Sequence, residues 1–229
     1  MGFLKRILRS TGPEGVVRST TENSFEQLTD DELQVHMGIE RYGAFDLTDA
    51  IRPSYDLQVV PRQGFRHDAY HDETSGEKIP VIMGAATRGL LVDLFLDLID
   101  QLGPVVDVVL ESSHQGGVGH RDFYREHIDL PVLKSVLVEF EDLLLNDGCC
   151  GVAVVNPRRR QEVQFDEHKL LICYGQPLEP FESVLIDNDV YPTPDIQFLT
   201  EAEHVHSSSE RFIREFDVLR SRLGMDSDF

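Results

Sequence analysis

The segment Ile79–Gly119, IPVIMGAATRGLLVDLFLDLIDQLGPVVDVVLESSHQGGVG, decides how the rest of the chain is read. It opens with a short apolar run, Ile79 to Met83, and turns on the small residues Gly84, Ala85, Ala86 and Thr87. An amphipathic stretch follows from Gly89 to Leu102. Leu90, Leu91, Leu94, Phe95, Leu98 and Leu102 recur at helical spacing, and Asp93, Asp97 and Asp100 take the opposite face. Thr87 stands where a helix cap belongs. Gly103 and Pro104 stop the helix, because glycine admits a left-handed terminal residue and proline cannot continue the hydrogen-bond ladder. Val105 to Leu110 is a second apolar run. The pattern predicts the strand, helix and strand of a βαβ unit.

The same alternation of apolar runs and helical spacing continues downstream. His120 to His127 is taken as a short helix. Asp129-Leu130-Pro131 opens a long one, with Leu133, Val136, Leu137, Phe140 and Leu144 on its buried face and Gly148 as its stop. Val152 to Val155 makes a third strand. Strands joined through a helix are normally parallel, so two consecutive crossovers predict a βαβαβ centre. After Asn156-Pro157 the period changes: Glu162 to Phe165 and Lys169 to Tyr174 flank Asp166-Glu167-His168, which signals a hairpin. Ser207 to Leu223 reads as the last helix, with Ser207 and Glu210 as its capping box and Phe212, Ile213, Phe216, Leu219 and Leu223 as its core face. The expected fold class is α/β (or α+β): a mixed sheet with a βαβαβ centre, an added antiparallel hairpin and a C-terminal helix.

Around this centre, residues 1–28 are expected to form a flexible N-terminal tail, 29–224 a single α/β domain and 225–229 a frayed end. Within the tail, Phe3, Leu4, Ile7 and Leu8 oppose Lys5, Arg6 and Arg9, a short amphipathic start that could dock on an anionic membrane or a partner. Thr29 and Glu32 have the spacing of a capping box for a short helix through Ile39. Tyr55 to Val60 alternates and ends at Pro61, which predicts an edge strand. Gly64 to Lys78 is polar and is read as a surface loop; its HDAYH places His67 and His71 at metal-ligand spacing, without the glutamate that follows the first histidine in zinc helices.

Composition narrows the function. The 229 residues carry 41 acidic and 21 basic side chains, a net charge of −20, and such a field repels phosphate backbones. Nucleic acid is therefore not an expected partner. No apolar run reaches the ~18 residues of a membrane-spanning helix, and the start MGFLKRILRS is too short and broken for a secretory signal. Cys149, Cys150 and Cys173 form no CxxC pair and read as buried, reduced thiols, so a cytoplasmic setting is expected.

In open parallel sheets, ligands bind beyond the carboxyl ends of the strands. Those ends would bring Thr87, Arg88, Glu111, His114 and Arg158 onto one candidate binding rim. The following GGVGH lacks the third glycine of a dinucleotide loop, since Asp122 stands there, and lacks the Lys-Ser/Thr ending of a phosphate loop. No nucleophile elbow surrounds Ser112 or Ser113, so no catalytic residue is named. The expected function is a non-catalytic module that binds or regulates another macromolecule, most naturally a protein partner. The alternative is a hydrolase or transferase of small anionic substrates, with Arg88 binding the anion and Glu111 and His114 moving protons. No cofactor is assigned. His204 and His206 would face one way on an extended segment, but zinc needs a third ligand such as His114 or His120, and the sequence shows none beside them, so no metal is assigned.

Overall fold

A computed structural model describes residues 24–25, 28–71, 76–114 and 120–225. Nearly all of the expected N-terminal tail, the glycine loop 115–119 and the end beyond residue 225 lie outside the described residues. Helix α1 (Asp30–Met37) precedes the small hairpin β1 (Arg41–Tyr42) and β2 (Phe45–Asp46), then β3 (Ile51–Pro53). β4 (Gly64–His71), β5 (Lys78–Ala85), α2 (Arg88–Asp100), β6 (Val105–Ser112) and β7 (Arg121–Asp129) follow. Then come α3 (Leu130–Glu139), α4 (Glu141–Asn146), β8 (Cys150–Asn156), β9 (Gln161–Phe165) and β10 (Leu171–Tyr174). The chain closes with α5 (Glu179–Asp187), a 3-10 turn (Leu199–Glu201), β11 (His204–His206) and α6 (Glu210–Arg222).

The main sheet has seven strands in the order β4-β5-β10-β9-β8-β6-β7, and every neighbouring pair is antiparallel. The expected parallel βαβαβ centre is therefore wrong. β5 and β6 do point the same way across α2, but β10, β9 and β8 lie between them. The segment read as a short helix after His120 is strand β7, which forms a hairpin with β6 and turns the chain round. The helices α3 and α4 then return it, and β8 enters beside β6 head to tail. A mostly antiparallel sheet with helices packed on it replaces the α/β architecture.

One row of residues crosses the whole sheet: Phe65, Gly84, Leu171, Phe165, Val152, Leu110 and Phe123. Their side chains, Gly84 apart, face the helices and join the main core with Leu91, Phe95 and Leu98 of α2, Leu133 and Leu137 of α3, Phe181 of α5 and Phe216 of α6. Phe95 and Phe165 meet with ring centroids 5.5 Å apart. The opposite face packs Ile79, Val81, Ile172 and Tyr174 against Ile196 and Phe198. Just past this row lie the end of β5, the β9–β10 turn, Cys149-Cys150 and the end of β6, all on one rim of the sheet.

Local expectations are corrected in the same way. Tyr55–Val60 forms no strand; the strand is β3, and the supposed loop from Gly64 is edge strand β4. The long helix after Asp129 breaks at Phe140 into α3 and α4. Thr87 makes no side-chain cap; its Oγ1 accepts instead from the Asp46 N–H at 2.9 Å. The cap of α6 is Ser209, whose hydroxyl accepts from Phe212 N–H, while Thr29 and Glu32 do form a capping box.

Arg52 ties the separate antiparallel ribbon β3–β11 to α1 and to the segment before β3, and Arg66 ties it to the main sheet. Buried Arg52 donates to the carbonyls of Met37, Thr48 and Ile51. Arg66 of β4 pairs bidentately with Glu201 at 2.7 and 3.1 Å and stacks on Phe198, which pins the segment leading into β11. The Arg66 hydrogen bond holds the Glu201 carboxyl below its ordinary 4.5. A depressed carboxyl stabilises the fold above its unfolded value, and that contribution is lost as pH falls through the folded one. Urea unfolding from neutral pH down past ~4 should therefore show a shallower loss of stability in Glu201→Gln than in the native chain; parallel curves would contradict this pairing.

Candidate metal centre

His168, His204 and His206 each offer a ring nitrogen, and these nitrogens all lie within 4.8 Å of one another. Two local structures make the cluster. The first is the β9–β10 turn, which Asp166 builds: its Oδ1 accepts from the N–H of His168 at 3.0 Å and of Leu170 at 2.8 Å, and its carbonyl accepts from Lys169 N–H. This is the side-chain mimicry of a backbone turn for which Asp is favoured. The second is the β3–β11 ribbon, where alternation puts His204 and His206 on one face.

Each ring is turned by an oxygen that can only accept. His204 Nδ1 donates to the Ala202 carbonyl at 2.8 Å, His206 Nδ1 to the Gly148 carbonyl at 2.5 Å, and His168 Nδ1 to the Asp166 carboxylate at 2.9 Å. The proton of each neutral ring therefore sits on Nδ1 and the lone pair on Nε2. Such partners are what orient metal-ligating imidazoles. Burial pushes His204 and His206 below the ordinary histidine value, so both are neutral at pH 7. Burial acts on His168 in the same direction, but the charge and hydrogen bond of Asp166 outweigh it and raise that ring.

The turn that carries Gly148 is itself fixed. Gly148 N–H donates to the Ser207 carbonyl at 2.7 Å, and Ser207 N–H to the Ala50 carbonyl at 2.8 Å. A Cβ on Gly148 would fall 2.2 Å from the Ala50 oxygen, so only glycine allows this approach. Asp147, fully buried, receives His114 Nε2 at 2.6 Å and Cys149 N–H at 3.2 Å. Beside the histidines, Glu167 accepts from Ser113 Oγ at 2.7 Å and lies 3.8 Å from His120 Nε2. Burial pushes the Cys149 thiol up, and that of Cys150 to about 12, so neither supplies a thiolate at neutral pH.

The residues singled out from sequence are dispersed. Glu111, next to Leu110, accepts from Gln164, which lies between Val163 and Phe165; Leu110, Val163 and Phe165 face the helices, so Glu111 and Gln164 lie on the other face of the sheet. His114 packs on Phe216 of α6, on the helical face, and both its ring nitrogens are engaged, by Asp147 and by Ser112 Oγ. Arg88 lies 3.8 Å from Asp49 and lines a hollow rich in acidic groups, among them Glu139, Glu141 and Asp142. Thr87 is spent on Asp46. Arg158 follows β8, whose direction opposes β6, and so lies at the other end of the sheet. Neither His114 nor His120 joins His204 and His206. The third ring is His168, which sequence reasoning passed over as a turn residue; the Asp-x-His spacing of Asp166 and His168 was its only signal.

Gly148→Ala should cost about 1–3 kcal/mol of stability in urea unfolding, as overpacking does, and should release His206 from its single Nδ1–H tautomer in ring-nitrogen NMR. Unchanged stability with an unchanged tautomer would refute the proposed role of the turn. No family model, no curated protein and no solved structure matches this chain.

Proposed function

We propose that this chain is a metalloprotein that holds one zinc-class divalent cation on Nε2 of His168, His204 and His206. One observation carries the reading: three partly buried imidazoles converge, and Nδ1 of each is turned toward an acceptor. Zinc bonds of ~2.0–2.1 Å set tetrahedral ligands roughly 3.4 Å apart, within reach of small ring rotations from this cluster. Imidazole sites suit zinc and its neighbours, whereas calcium and magnesium take oxygen ligands. The net charge of −20 favours cations in the surrounding field.

Three histidines leave a fourth position, the arrangement of catalytic rather than structural zinc. A cation held there would supply Lewis-acid chemistry, acidifying water and polarising carbonyl oxygens, which supports hydrolysis or hydration of a small substrate. Glu167, held by Ser113 and next in sequence to His168, is a carboxylate placed to handle a proton. The anionic-substrate reading built on Arg88, Glu111 and His114 is not carried forward, because those side chains lie apart. A non-catalytic, macromolecule-binding module is the competing reading, in which the cation would be closed off by a fourth protein ligand and serve the fold.

The purified full chain, stripped and titrated calorimetrically with zinc, should bind one equivalent. Alanine at His168, His204 or His206 should each weaken binding about 100-fold or more, while His67→Ala on β4 leaves it unchanged. Stoichiometric binding that survives His206→Ala, or none in the native chain, would overturn the proposal.

A further inference from the structure

A cavity of about 40 Å³ reaches the histidine cluster through His168, which forms part of its wall. Its other walls are chiefly apolar, among them Ile51, Leu91, Leu170 and Phe198. Ile51 stands directly across from His206 in the β3–β11 ladder, and cross-strand partners project to the same face. The cavity therefore meets the histidine cluster at two places, once through His168 and once through Ile51.

Thr48 also lines this cavity. It is 3% exposed, and its Oγ1 has no hydrogen-bond partner among the described residues. Arg52 and its neighbours use the Thr48 carbonyl but not the hydroxyl. Native structures seldom bury a hydroxyl without a partner, so a ligand or a water belongs there. The room is about three water-sized volumes of ~10–15 Å³ each. That suits a short branched aliphatic group better than an aromatic ring.

We infer that the cavity receives the short, branched acyl chain of a small carbonyl ligand, an amide, ester or acid of about four or five carbons. Its carbonyl end reaches the cation on His168, His204 and His206, and its remaining polar atom bonds Thr48 Oγ1. The carbonyl end rests on the metal reading above; the chain and the Thr48 contact do not. Thr48 is thus a specificity-determining residue that leaves the cation itself untouched.

The test uses the methyl-labelled full chain, with isovaleramide, acetamide and phenylacetamide as probes, each with and without one equivalent of zinc. Isovaleramide should shift the methyl resonances of Ile51, Leu91 and Leu170 and bind at least about tenfold more tightly than acetamide, since each buried methylene is worth roughly fourfold. Phenylacetamide should not compete. Thr48→Val should weaken isovaleramide about fivefold while leaving stability equal or higher, because it removes an unpartnered hydroxyl without changing shape. Equal binding of the two aliphatic amides, silent methyl groups, or a Thr48→Val variant that binds as well as the native chain would overturn the inference. Methyl shifts without zinc uptake would sink the metal reading and leave the cavity assigned; zinc uptake with silent methyl groups would do the reverse.

Discussion

A backbone carbonyl, that of Gly148, decides which way His206 faces. It can only accept a hydrogen bond, so it takes the Nδ1 proton and leaves the lone pair on Nε2. The carbonyl is in place because the α4–β8 turn presses on the β3–β11 ribbon so closely that Ala50 leaves no space for a side chain. The same turn is held from below by the buried His114–Asp147 pair and from above by the Gly148–Ser207 hydrogen bond. Core packing under α2 and α6, the seven-strand sheet and the arginine-held ribbon all converge on this contact. The histidine cluster is thus a product of tertiary structure, assembled from a turn, a ribbon and a hairpin remote in sequence.

The elements buried on one face were readable. The spacing of Leu91, Leu94, Phe95 and Leu98 marks α2, and the apolar runs mark β5, β6 and β8, because burial imposes a period on the residues that carry it. Both edges of the sheet were misread. β4, GFRHDAYH, looks like a polar loop, and β7, RDFYREHID, looks like a polar helix. Edge strands keep one side in water and use charges to block pairing with other chains, so their composition imitates solvent-exposed segments. Missing β7 had the larger effect, since a single reversal there converts two supposed parallel crossovers into an antiparallel sheet. Strand direction is not written in hydrophobic period; it follows from how many times the chain turns.

The site was legible only in part, for a related reason. His204 and His206 stand two apart and declare a shared face on any extended segment. His168 is 36 positions earlier, in a turn whose visible purpose is to reverse the chain. Nothing in a linear pattern says that this turn and that ribbon touch. The rim built from Thr87, Arg88, Glu111, His114 and Arg158 depended on parallel strands ending together. With antiparallel neighbours, successive strand ends alternate between the two edges of the sheet, which is why Arg158 lies far from His114. The ligand logic of open parallel sheets has no purchase on this topology, and the place it would have named is taken by hydrogen bonds that hold turns.

The proposed site requires three imidazole nitrogens to share one cation. The most direct measurement is anomalous diffraction at the zinc edge from crystals of the full chain grown with stoichiometric zinc. It should show one strong peak bonded at ~2.0–2.1 Å to Nε2 of His168, His204 and His206. A peak placed elsewhere, or bonded through Nδ1 with the Gly148, Ala202 and Asp166 contacts broken, would contradict it.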